Sequence, residues 1–123
     1  MKLCEENGIE LVLVKAPSLY PHWYEEWDRQ IVDFAAEHEL SYINFLDATE
    51  EIGLDYTTDT CDAGLHLNLY GATKLSTYFG KILAEEFGVP DRRGEADLVT
   101  AWEKKKQAYE EEIKTQKEKY GIE

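Results

Sequence analysis

"IELVLVKA", residues 9–16, is a run of branched and apolar residues broken only by Glu10 and Lys15. Its length and composition predict a β-strand. Its near-continuous apolarity predicts a strand buried on both faces, as in parallel sheets. Pro17 closes it. On the N-terminal side, residues 1–7 read as the last turns of a helix, ended by the Asn7-Gly8 pair. On the C-terminal side, "PSLYPHWYEEW", residues 17–27, is a loop with two prolines that turns into a helix from about Trp23. There Trp23, Trp27, Ile31, Phe34 and Ala35 recur at spacings of three and four, which reads as an apolar stripe with the two tryptophans as core anchors. "LSYINFL", residues 40–46, is a second strand. Helix, strand, helix, strand in alternation predicts an α/β fold with a parallel sheet.

Beyond the second strand, "DATEEIG", residues 47–53, predicts a short helical turn capped by Asp47 or Thr49. An irregular polar stretch follows. Asn68 is then the expected N-cap of a further helix, whose Leu69, Ala72, Leu75, Phe79, Ile82, Leu83 and Phe87 share one face. Gly88 and Pro90 end it. "DRRGE", residues 91–95, is a linker, so residues 1–90 form the α/β part and residues 91–123 carry a charged tail. In the tail, residues 96–120 predict a helix with a thin stripe of Leu98, Trp102, Tyr109, Ile113 and Tyr120, interrupted by Lys105 and Gln116. Such a helix lies on a surface or against another chain.

Two strands do not make a stable sheet by themselves. The chain is therefore expected to be the C-terminal part of a larger α/β domain, the alternative being strands pooled between chains. Unpaired apolar edges and faces predict a homo-oligomer, most simply a symmetric dimer. The 26 acidic against 13 basic residues give a net charge of -13, a field that repels phosphate backbones and anionic lipid, so no nucleic-acid partner is expected. The longest apolar stretch, residues 9–14, is too short for a membrane span. The two cysteines, Cys4 and Cys61, form no C-x-x-C pair.

The chemistry gathers in "CDAGLHLNLYGATK", residues 61–74. In open α/β sheets ligands bind beyond the carboxyl ends of the strands, where this loop and Ser18 fall. A histidine there acts as a general base when a carboxylate holds its other ring nitrogen, fixing the tautomer and stabilising the imidazolium. His66 is the expected base. Asp62, in a loop softened by Gly64, is its expected partner, with Asp59 as a second candidate. Cys61 offers a Cys–His alternative, read instead as an inert loop thiol. Asp59, Cys61, Asp62 and His66 match no established zinc spacing, so no metal is expected. Ser18 and Tyr20 are the residues expected to touch substrate. No glycine elbow surrounds Ser18, so it is not read as a nucleophile.

The segment "DAGLHLNLYGATKLSTYFGKIL" resembles the last block of the SGNH (GDSL-type) hydrolases, in which a catalytic aspartate and histidine precede the final helix. His-Leu-Asn with a glycine three residues later and a lysine three further is a common form of it. "CEENGIELVLVKAPS" and "AAEHELSYINFLD" resemble the last two strands of that flavodoxin-like, three-layer fold. The resemblance covers residues 1–89 and leaves the tail outside. It implies that His66 is the catalytic base and Asp62 its orienting aspartate, acting on a small acyl ester without metal or organic cofactor. The family generally places the aspartate three residues before the histidine, where this chain has Ala63. It also carries its serine nucleophile in a Gly-Asp-Ser-like block and an oxyanion-hole asparagine in a Gly-x-Asn-Asp-like block. No glycine here is followed by Asp-Ser, and Asn7, Asn44 and Asn68 lack the second context. The resemblance therefore implies a chain inactive by itself.

Overall fold

In the computed structural model, which describes residues 1–120, the chain alternates helix and strand. Helix α1 (Lys2–Glu6) leads into strand β1 (Val12–Lys15), helix α2 (Glu25–Glu37) into strand β2 (Ser41–Asn44), and short helix α3 (Thr49–Ile52) follows. Helices α4 (Leu69–Glu85) and α5 (Ala96–Tyr120) complete the order. The two strands pair in parallel, Val12 opposite Ser41 and Lys15 opposite Asn44, and the ladder runs on as the Phe45 N–H donates to the Lys15 carbonyl at 3.0 Å. The fold is thus a mixed α/β arrangement on a two-stranded parallel sheet.

Alternation of side chains distributes the sheet between two faces. On one, Asp28 of α2 accepts hydrogen bonds from the Tyr42 hydroxyl (2.6 Å) and the Asn44 amide (3.2 Å). Burial, then this contact with Asp28, raises the Tyr42 phenol above its ordinary range. On the other face Phe45, 1% exposed, meets Phe79 and Tyr78 of α4 edge-on. Among the described residues Ala35, Phe45 and Ile52 are the buried hydrophobic side chains.

Several expectations change at this level. Strand β1 is not buried on both faces: Val14 is 46% exposed, and no third strand lies along the sheet among the described residues. Trp27, 44% exposed, is no core anchor. With the half-buried Trp23 it lines an open groove together with Leu13, Val14, Ile31 and Phe34. Burial is set by which layers cover a residue, and this groove, between α2 and the edge of β1, is open to solvent. Helix α2 starts two residues after Trp23, because its N-cap Tyr24 keeps an extended backbone (φ -97°, ψ 149°). Its first turn carries Glu25, Glu26 and Asp28, the sign that suits a helix N-terminus. Neither Asp47 nor Thr49 caps α3: Asp47 accepts from the Asn44 amide and Thr49 donates to the Leu46 carbonyl. Helix α4 ends at Glu85, leaving Phe87 just outside it, and Gly88 takes a left-handed φ of 62°.

The chain divides into two compact units, Met1–Lys81 and Ile82–Glu123. In the second, α5 is an almost continuously exposed helix: Trp102 is 64% and Tyr109 53% exposed. Lys105 lies over the Trp102 ring, and Lys106–Glu110 and Lys114–Glu118 pair along the surface. The side chains of Gln116 and Tyr120 fall outside the described residues. No described helix is long and apolar enough to cross a membrane.

Candidate active site

His66 sits near the end of a hairpin that the local sequence folds by its own hydrogen bonds. Thr60 and Leu67 form an antiparallel bridge, the Cys61 N–H donates to the His66 carbonyl at 3.1 Å, and the Asn68 N–H donates to the Asp59 carbonyl at 2.9 Å. At the tip, Ala63 and Gly64 both take positive φ (56° and 96°), a conformation that favours glycine and is sparsely populated by alanine. The Thr60 hydroxyl accepts from the Gly64 N–H and donates to the Tyr56 carbonyl, spanning the hairpin from inside.

This turn brings Asp62 back onto His66. One carboxylate oxygen accepts the His66 backbone N–H at 2.7 Å, and the other lies 2.5 Å from Nδ1. The imidazole contact, then the backbone N–H, hold the Asp62 carboxyl below the usual carboxylate range. A carboxylate has only acceptors to offer, so a neutral His66 paired this way carries its proton on Nδ1. Nε2 is then a bare lone pair, with no hydrogen bond among the described residues. The His66 side chain is 77% exposed. The arrangement can take a proton at Nε2 and stabilise the resulting imidazolium through Asp62.

Asp59, the second candidate for orienting His66, does something else. It is 3% exposed; its carboxylate accepts the Asp55 N–H at 2.9 Å and the Lys74 ammonium at 2.6 Å. Those two bonds, in that order, hold its carboxyl below the usual range. Lys74 reaches on to the Gly53 carbonyl at 2.9 Å. Asn68 caps α4 as its position predicts, its Oδ1 accepting the Tyr70 and Gly71 N–H groups. Its amide also donates back to the carbonyls of Thr58 and Thr60. Gly71 is required here: a Cβ would stand 2.3 Å from the Asp59 carbonyl oxygen.

Ser18 is half-buried in the loop after β1, beside the buried Pro17. That loop is joined to the hairpin tip, since the next residue, Leu19, donates its N–H to the Gly64 carbonyl at 2.8 Å. The Leu19 side chain fills the space a Gly64 Cβ would occupy. No hydrogen bond joins Ser18 to His66. Tyr20 packs edge-on against His22 and is 50% exposed. Cys61 is exposed, and its thiol points to the His66 carbonyl rather than to the ring. Among the described residues no three His, Cys, Asp or Glu side chains are grouped to hold a metal ion.

The Asp59–Lys74 pair and the Leu19–Gly64 contact go beyond what the sequence pattern predicts. The first left one signal: a lysine in the first turns of a helix that follows an aspartate-rich loop. The second left none, because it joins loops far apart in the chain. Comparison of the chain with family models, curated proteins and solved structures found no match.

Proposed function

We propose that this chain carries the acid–base half of an acyl-ester hydrolase of the SGNH (GDSL) type, on the C-terminal part of a flavodoxin-like domain. The observation that carries this reading is the Asp62–His66 contact, 2.5 Å at Nδ1 with Nε2 left open. Parallel strands with α2 bonded to Tyr42 on one side and Phe45, just past β2, against α4 on the other, and a loop carrying Ser18 tied to the hairpin by the Leu19–Gly64 bond, support it. In the complete site a serine from another segment attacks the acyl carbonyl and its proton passes to Nε2 of His66. Asp62 balances the imidazolium. The proton then goes to the departing alcohol oxygen as the carbon–oxygen bond breaks, and a water activated by His66 releases the acyl group. Ser18 and Tyr20 contact the substrate, a small acyl ester. No metal or organic cofactor takes part.

The test is an assay of the purified chain on a short-chain activated ester, beside His66→Ala and Ser18→Ala. The chain alone is expected to give no saturable turnover, because among the described residues no serine is hydrogen-bonded to Nε2, the contact of about 3 Å that proton transfer requires. A polypeptide of the same fold that includes a Gly-Asp-Ser segment turns over, and loses activity with His66→Ala. Saturable turnover by the chain alone, abolished by both substitutions, would make Ser18 the nucleophile and overturn this division of labour.

A second reading is a non-catalytic, self-associating α/β module. Its support is the groove of Leu13, Val14, Trp27 and Phe34 in the first unit and the Trp102–Tyr109 stripe in the second, which are left open to solvent. Sedimentation at micromolar concentration tests it: a dimer is expected, and a stable monomer contradicts it.

A further inference from the structure

A buried carboxylate and a partly exposed lysine close the base of the hairpin on which His66 stands, and nothing in the proposed chemistry uses either. Asp59 is held on three sides. Its carboxylate takes the Asp55 N–H and the Lys74 ammonium, its backbone carbonyl takes the Asn68 N–H, and its backbone N–H donates to the Asp55 carbonyl at 2.7 Å. Lys74 in turn joins α4 to the Gly53 carbonyl at the end of α3. One ammonium thus ties together three segments that have no regular pairing with one another: the turn after α3, the first strand of the hairpin and the second turn of α4. The side chain of Asp59 is 4% exposed and that of Lys74 41%. Water therefore competes poorly for the carboxylate, and a buried charge deprived of its partner costs more than the pair returns.

The hairpin has few other anchors. Beyond Asp59, its base is held by Asn68 and by the Thr60 hydroxyl donating to the Tyr56 carbonyl, and its tip by the Leu19–Gly64 bond with the Leu19 side chain beneath it; among the described residues His66 and Asp62 bond to each other and to the hairpin backbone. We infer that Asp59 and Lys74 are positioning residues for the Asp62–His66 pair: their ion pair fixes the hairpin on α4 and so sets where Nε2 points. Asp59 is thereby the residue that holds the base in place, while Asp62 orients its ring. The consequence for catalysis rests on the acyl-hydrolase reading, but the mechanical claim does not.

The experiment uses the whole chain, labelled with ¹⁵N, as wild type, Lys74→Met, Lys74→Arg and Asp59→Asn. Two quantities are read: the His66 ring tautomer from its nitrogen shifts, and amide hydrogen exchange at Cys61, Asn68 and Leu19. Amides of β1 and β2 serve as the folding check. Lys74→Met is expected to speed exchange at Cys61 and Asn68 by about ten-fold or more, through the loss of the charge-assisted bonds to Asp59 and to the Gly53 carbonyl, with β1 and β2 unchanged. It is also expected to turn the single wild-type tautomer into a mixture. Lys74→Arg restores both, because a guanidinium keeps the charge and the donors. If Lys74→Met unfolds the sheet, Asp59→Asn reports instead: it removes the charge, keeps the shape and leaves Lys74 its Gly53 contact. Wild-type exchange and a single tautomer in both Lys74→Met and Asp59→Asn would overturn the inference. A wild-type His66 protonated on Nε2 would instead sink the acid–base reading, and the exchange data would still decide the role of Asp59 and Lys74.

Discussion

The histidine hairpin and helix α5 both face solvent, but their bonds reach different distances along the chain. In the hairpin the holding contacts are tertiary: Lys74 to Asp59 across 15 residues, Lys74 to Gly53 across 21 and Asn68 to Thr58 across 10. In α5 the side-chain bonds described run one helical turn: Thr100 to Ala96, Thr115 to Glu111, Lys106 to Glu110. A segment of the first kind has its position dictated by the fold. One of the second kind has only its conformation dictated, by propensity and neighbouring charges. A base that must meet a nucleophile belongs on the first, and a surface awaiting a partner can be built from the second.

The sharpest way to break this contrast is inside α4. Gly71→Ala puts a methyl carbon against the Asp59 carbonyl oxygen, and Asp59→Ala removes the carboxylate that Lys74 and the Asp55 N–H share. Each is expected to lower stability by about 2–3 kcal/mol, read from urea midpoints. Gly80→Ala in the same helix meets nothing within 4 Å and is expected to raise stability by roughly 0.5–1 kcal/mol. Equal effects at the two glycines would mean that the hairpin does not press on α4.

Acid should strip the same anchors. Asp59 and Asp62 are both held below the usual carboxylate range in the folded chain. A depressed folded pKa contributes stability that is fully present above the unfolded value, near 4, and is lost as pH falls through the folded value. Hairpin amides are therefore expected to shift and broaden as pH drops from about 5 towards about 2, in a titration followed by NMR. Asp59→Asn should remove part of that pH dependence; an unchanged profile would assign it to other carboxyls.

The smallest effects belong to α5. Lys106→Ala or Glu110→Ala removes an exposed pair at 3.6 Å and is expected to cost no more than about 0.5 kcal/mol of helix stability by circular dichroism, less in high salt. A larger loss would show that this surface is already engaged with something.

What could be read from the sequence follows the same division. The strand of Val12–Lys15, the Asn68 cap and the Asp62–His66 approach all depend on residues within a few positions of one another, and local chemistry announces them. Asp62 reaches His66 from four residues away because Ala63 and Gly64 turn the chain with positive φ, a geometry that the spacing alone does not specify. Asp47 and Thr49 failed as caps because Asn44 and Leu46 offered them other partners. Asp59, the second candidate for orienting His66, pairs instead with Lys74, and that contact is not announced locally because Lys74 lies on a later helix. The exposure of Val14 and Trp27 was hidden because a period of two or of 3.6 says which residues share a face, not whether another layer covers it.

The central claim is that Asp62 holds His66 as an open base, and the ring nitrogens of His66 report on it most directly. With the ring neutral, ¹⁵N shifts of the wild-type chain should show the proton on Nδ1 and a bare Nε2, and Asp62→Asn should abolish that preference. A proton on Nε2 in the wild type, or a tautomer indifferent to Asp62→Asn, would contradict the account.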